Sequence, residues 1–204
     1  MSGLTPLLPD SLDADQRALY DAVIASPRAQ GPGRNLLIRD DGTLTGPFDP
    51  WLRSPIIGGL LEKVGMALRT DATLPAAARE IAILVVARAW NADFEWWIHG
   101  IIARSVGVSD GIIDAIGHRQ PIASDDASLV AAHDVAVELV HHRRIAPETL
   151  SRAMETLGER GVVEVVMNVG FYQLVSGTLE GFHPPGPSID LPVIGPPKLE
   201  ELAP

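Results

Sequence analysis

The 204-residue chain contains no cysteine. That absence excludes disulfides, zinc–thiolate sites and thiol catalysis together. Basic residues are scarce as well: 16 Lys and Arg stand against 26 Asp and Glu, giving a formal net charge of −10. So acidic a chain is unsuited to a phosphate backbone, which needs clustered Lys and Arg. The one basic run, His141-His142-Arg143-Arg144, reads as a helix C-terminus matched to the macrodipole. The glycines form neither GxGxxG nor GxxxxGK[ST], so no phosphate loop is present. The longest apolar run, Ile81 to Ala87, is too short to span a bilayer. The first twenty residues show no basic n-region and no useful h-region. The expectation is a cytoplasmic protein with neither nucleic-acid nor membrane partners.

What the chain does have is apolar residues at helical spacing. It is 46% hydrophobic with a mean hydropathy of +0.16, enough for one well-filled core and a subunit interface. No segment reads as a sheet, and the predicted fold class is all-α. Helices are expected over 10–26 with Ser11 as N-cap, over 55–69 from Pro55, and over 75–90 from Pro75. They continue over 92–106 to Gly107, over 110–116 between Ser109 and Gly117, and over 126–142, 147–157 and 161–180. Gly158 marks a helix end. Residues 27–50 are rich in Gly, Pro and Asp, with Asp41-Gly42 as a turn or short hairpin. The 21 residues after His183 include seven prolines, which predicts an extended arm rather than a helix.

Chemistry concentrates in 79–99. Glu95 and His99 are four apart, hence on one helix face, beside Trp96 and Trp97. A carboxylate orients an imidazole and raises its pKa, and large rings exclude water. Such a pair can shuttle a proton or be a plain ion pair. Glu80 lies in an otherwise apolar helix, with Arg88 two turns on; catalysis and a structural ion pair are both open for it. Glu95 and His99 alone are too few for a metal site, and no other His completes a shell. Arg53 is a candidate carboxylate anchor. Tyr172, in line with Asn168 and Glu164 at four-residue steps, is either a proton donor or a core residue.

These pieces together resemble the carboxymuconolactone decarboxylase family, within the wider alkyl hydroperoxidase D-like group. The resemblance rests on Gly46 to Pro55, Leu74-Pro75 with Arg79 to Leu84, Ala92 to His99, Gly107 to Ser109, Gly161 to Val166 and Phe171 to Leu179. It implies an alkyl hydroperoxidase D-like helical bundle over 46–183, preceded by a helix and irregular connection (1–45) and followed by a Pro-rich arm (184–204). It implies a homo-oligomer, trimer or hexamer. Peroxidase-type members carry a glutamate and then C-x-x-C-x-x-x-H; here those positions read Glu80, Ala92, Glu95 and His99, so no thiol peroxidase activity is expected. The Glu-x-x-x-His pattern looks like the decarboxylase type. That implies cofactor-free acid/base chemistry on 4-carboxymuconolactone or a related small acid or lactone. Glu95, His99 and Glu80 would be catalytic, and Arg53, Trp96, Trp97 and Tyr172 would bind substrate. The competing readings are a non-catalytic oligomeric binding protein on the same scaffold and a metal-dependent hydrolase.

Overall fold

The computed structural model describes residues 3–29 and 34–186. Among them the fold is helical with no strand; one antiparallel bridge, Ile38 to Leu44, closes the turn at Asp41-Gly42. Gly42 sits at φ 80°, the left-handed region such a turn requires. The chain divides into two compact units, residues 3–67 with 177–186 and residues 68–176, and the division falls inside two helices. The expected Pro-rich arm lies mostly outside the described residues.

The first unit contains α1 (Ala14–Ala25), α2 (Arg34–Leu37), α3 (Phe48–Trp51) and most of α4 (Pro55–Thr70). α1 starts later than expected. Asp13 is the N-cap in a capping box with Gln16, while Pro9–Ser11 forms a separate 3₁₀ turn. A carboxylate three residues before a glutamine satisfies two orphan N–H groups, which the Ser11 hydroxyl does not. The core here is Leu19, Tyr20, Val23, Leu37, Leu44 and Leu52. Tyr20 is buried with its hydroxyl donating to the Gly42 carbonyl (2.8 Å), which ties α1 to the turn.

In the second unit α5 (Ala76–Trp90) is the central element, packed by α6 (Asp93–Ser105), α7 (Asp110–Gly117) and α8 (Ala127–His142). Every α5 residue from Glu80 to Arg88 is buried, as an apolar sequence with no polar stripe dictates. α5 stops at Asn91, which takes the left-handed conformation (φ 50°), and the Ala92 N–H donates back to the Ala87 carbonyl (2.9 Å). That cap turns the chain straight into α6.

The last helical stretch, α9 (Pro147–Phe182), breaks its geometry at Gly158 (φ 70°, ψ 167°), where the sequence expectation put a helix end. α9 is long and apolar enough to cross a membrane by length and composition, yet half of its most apolar window is buried inside the protein. A core helix meets the same criteria. Its face Glu164, Asn168, Tyr172 grips the start of the second unit. Glu164 Oε2 accepts from the Thr73 N–H (2.8 Å), the Thr73 hydroxyl (2.9 Å) and the Leu74 N–H (2.8 Å), just ahead of α5. Asn168 Nδ2 donates to the Arg79 carbonyl (3.2 Å), and the Tyr172 hydroxyl receives from Arg69 Nη2 (3.0 Å).

Burial pushes the Glu164 carboxyl up, but the bonds from Thr73, Arg160 and Leu74 together outweigh it and hold it below its ordinary value of 4.5. A depressed carboxyl stabilises the fold above its unfolded pKa and loses that contribution as pH falls through the folded value. Glu164→Ala is therefore expected to cost about 2–3 kcal/mol at neutral pH. The difference from wild type should shrink as pH falls below the ordinary carboxyl value of 4.5. Urea melts of both proteins at pH 7 and pH 3.5 test this; equal stabilities at pH 7 would contradict it.

Candidate active site

α5 and α6 bring three sequence-predicted residues together. His99 is 2% exposed and lies between two carboxylates. Its Nδ1 is 2.6 Å from Glu80 Oε2, and its Nε2 is 3.1 Å from Glu95 Oε2. The Glu95 approach is close enough for an ion pair but lacks hydrogen-bond geometry, so Oε2 has no hydrogen-bond partner. The local reason is simple. The i, i+4 spacing puts Glu95 and His99 on one face of α6, and the tight Asn91 cap folds that face onto the start of α5, where Glu80 sits.

Two cations and a phenol complete the group. Arg79 Nε donates to Glu80 Oε1 (3.2 Å), and Arg69, at the end of α4, bonds Tyr172. The Tyr172 ring meets the His99 ring edge-on, centroids 5.0 Å apart. Arg69 Nε is buried without a hydrogen-bond partner, as is Trp97 Nε1. With the phenol neutral and the other five groups ionised, Arg69, Arg79 and His99 outweigh Glu80 and Glu95 by one positive charge.

The electrostatics favour a charged His99. Burial pulls its pKa down, but Glu80 and Glu95 together raise it above 6.5. Both ring nitrogens of a neutral imidazole cannot donate; those of an imidazolium can, and here both face carboxylates. Burial likewise pushes Glu80 up, and the charges of His99, Arg69 and Arg79, with the His99 bond, hold it below 4.5. Arg69 is driven above its ordinary range, first by the Tyr172 phenol and then by Glu80 and Glu95, against burial. A raised His pKa stabilises fully below the unfolded value and fades as pH climbs through the folded one; a lowered Glu pKa does the reverse. The pair is therefore at full strength between the unfolded values, 4.5 for Glu80 and 6.5 for His99.

The other expected residues fall as follows. Trp96 and Trp97 are both buried on α6. Arg53 belongs to the first unit, where its Nη1 bonds buried Asp49 Oδ2 (2.9 Å) and its Nη2 donates to the Thr5 carbonyl. Asp49 in turn accepts from the Leu7 N–H (2.8 Å), so the Arg53–Asp49 pair anchors the N-terminal segment. Arg88 does not meet Glu80. Its Nε donates to the Gly117 carbonyl and its Nη1 to Asn91 Oδ1, both at 2.6 Å. Among the described residues no group of three His, Asp or Glu side chains converges to hold a metal ion.

Sequence reasoning missed Arg69 and Arg79 as members of the group. Arg79 was signalled by its place beside Glu80. Arg69 had only the weak signal of a cation in a last helical turn.

Comparison of the chain with protein-family models and with curated proteins gives no match, so function is argued from the chemistry of this group.

Removing one member of a buried charged pair leaves the other uncompensated, at about 3–5 kcal/mol. A double-mutant cycle of Glu80→Gln and His99→Gln should therefore be strongly non-additive, with a coupling of about 1.5 kcal/mol or more at pH 6. Denaturant melts of the four proteins measure it; additive losses would mean that the pair does not interact as described.

Proposed function

We propose that the chain is a cofactor-free acid/base enzyme, a decarboxylase or lyase acting on a small carboxylated lactone or related organic acid such as 4-carboxymuconolactone. The observation that carries the reading is His99 held between Glu80 and Glu95. Glu80 fixes the ring and sustains its charge, which leaves the Nε2 proton to be passed toward Glu95. Heterolysis of the C–CO₂ bond leaves its electron pair in the conjugated lactone as a dienolate. One proton, relayed from His99 through Glu95, quenches that carbon, and solvent restores the proton. The net change is substrate carboxylate plus one proton to CO₂ and the unsaturated lactone. Arg69, bonded to Tyr172 beside the His99 ring, would anchor a substrate carboxylate, which guanidinium suits. Buried Trp96 and Trp97 keep the surroundings dry, which strengthens each charge interaction.

The protein acts as a homo-oligomer in this reading. Val163, Val166, Met167 and Leu174 lie on α9 at helical spacing and are 38–59% exposed, and such a stripe is better covered than left in water.

One observation favours a second reading, a non-catalytic binding protein on the same scaffold. Glu80 and His99 are almost wholly buried, and the described cavities of the second unit are lined by other residues. A buried pair of this kind also serves structure alone.

Turnover separates the two. Wild type is expected to release CO₂ from 4-carboxymuconolactone and to sediment as an oligomer. His99→Gln and Glu95→Gln should lose at least about a hundredfold in kcat, the usual minimum for a general acid or base. Binding of acids and lactones without conversion would favour the binding protein.

A further inference from the structure

The second unit contains a different charged hollow, on the far side of α5 in sequence from Glu80. It has a volume of about 210 Å³. Val85, Ala89, Ile116 and Val137 supply apolar wall, and Arg88, Arg119, His133 and His141 supply the polar lining. We propose that this cavity between α5, the end of α7 and α8 is a binding site for a small organic acid, a carboxylate on a short apolar body, distinct from the Glu80–His99 group.

Charge is the first argument. The protein carries a formal net charge of −10, yet among the described residues lining this hollow two guanidinium groups and two imidazoles stand against one acid, Asp134. Asp134 is already engaged: its Oδ1 lies 3.1 Å from His133 Nδ1 and its Oδ2 3.6 Å from Arg152. Positive charge therefore predominates where the chain as a whole is negative.

Preorganisation is the second. Arg88 is buried, and the Gly117 carbonyl and Asn91 amide oxygen fix the orientation of its guanidinium. His133 is buried as well, its ring oriented by Asp134. Burial first, then the like charge of Arg119, presses the Arg88 guanidinium below its ordinary range. An anion seated between the two arginines relieves that repulsion and gains charge-assisted hydrogen bonds.

Size is the third. Sites for drug-sized ligands run from about 300 Å³ upward, so this one suits an acid of benzoate size. The four aliphatic side chains favour an organic acid over an inorganic anion of the same charge.

Calorimetric titration of the full chain with benzoate, and separately with inorganic phosphate, tests the proposal. Arg119 is exposed and already left-handed (φ 54°), so Arg119→Gly removes the charge at a position glycine tolerates. The expected result is saturable benzoate binding by wild type and by His99→Gln, weakened about tenfold or more by Arg119→Gly, with phosphate weaker than benzoate. No saturable binding, binding indifferent to Arg119→Gly, or phosphate as tight as benzoate would overturn it. Binding lost in His99→Gln but kept in Arg119→Gly would also overturn it, by assigning the acid to the Glu80–His99 group. Failure here leaves the decarboxylase reading standing, because that reading depends on His99 and not on Arg119.

Discussion

An imidazole shut away from water between two carboxylates cannot be neutral cheaply, and cannot be charged without them. That mutual dependence of Glu80, His99 and Glu95 organises the second unit. Taking any of the three ions out of water alone would cost several kcal/mol. The cost is offset only because α5 and α6 deliver the charges together, with Arg69 and Arg79 alongside. The Asn91 cap matters for this reason. It sets the angle at which α6 returns along α5, and with it the distance between His99 and Glu80.

The supports of the group are polar bonds placed on an otherwise apolar frame. Glu164, Asn168 and Tyr172 stand at successive turns of α9 and hold Thr73, Leu74, the Arg79 carbonyl and Arg69. Asn168 and Tyr172 hold the two residues, Arg79 and Arg69, whose guanidinium groups join the group. Stability and site geometry are coupled through these few bonds.

Much of the frame was legible in the sequence because its signals are local. Pro75 precedes α5, Ser109 caps α7, and Gly158 breaks α9. Glu95 with His99 was readable for the same reason, since the helix period alone makes them neighbours. The start of α1 was misplaced because Ser11 and Asp13 compete as caps, and the glutamine at Gln16 decides for Asp13. The Glu80–His99 distance was beyond local reasoning: 19 residues and a helix turnaround separate the two, and only the resemblance joined them. Arg69 and Tyr172 are 103 residues apart, and nothing in either segment announces the other. Arg53 drew attention as a guanidinium suited to a carboxylate, while the buried Asp49 that engages it stood four residues earlier.

The central claim is that His99 is an imidazolium held by both carboxylates. Nitrogen-15 NMR of the histidine-labelled protein at pH 7 reads this directly. Two slowly exchanging ring N–H signals for His99, with titration displaced upward from 6.5, are the predicted result. A single ring N–H, with the other nitrogen showing the shift of a neutral tautomer at that pH, would contradict the account.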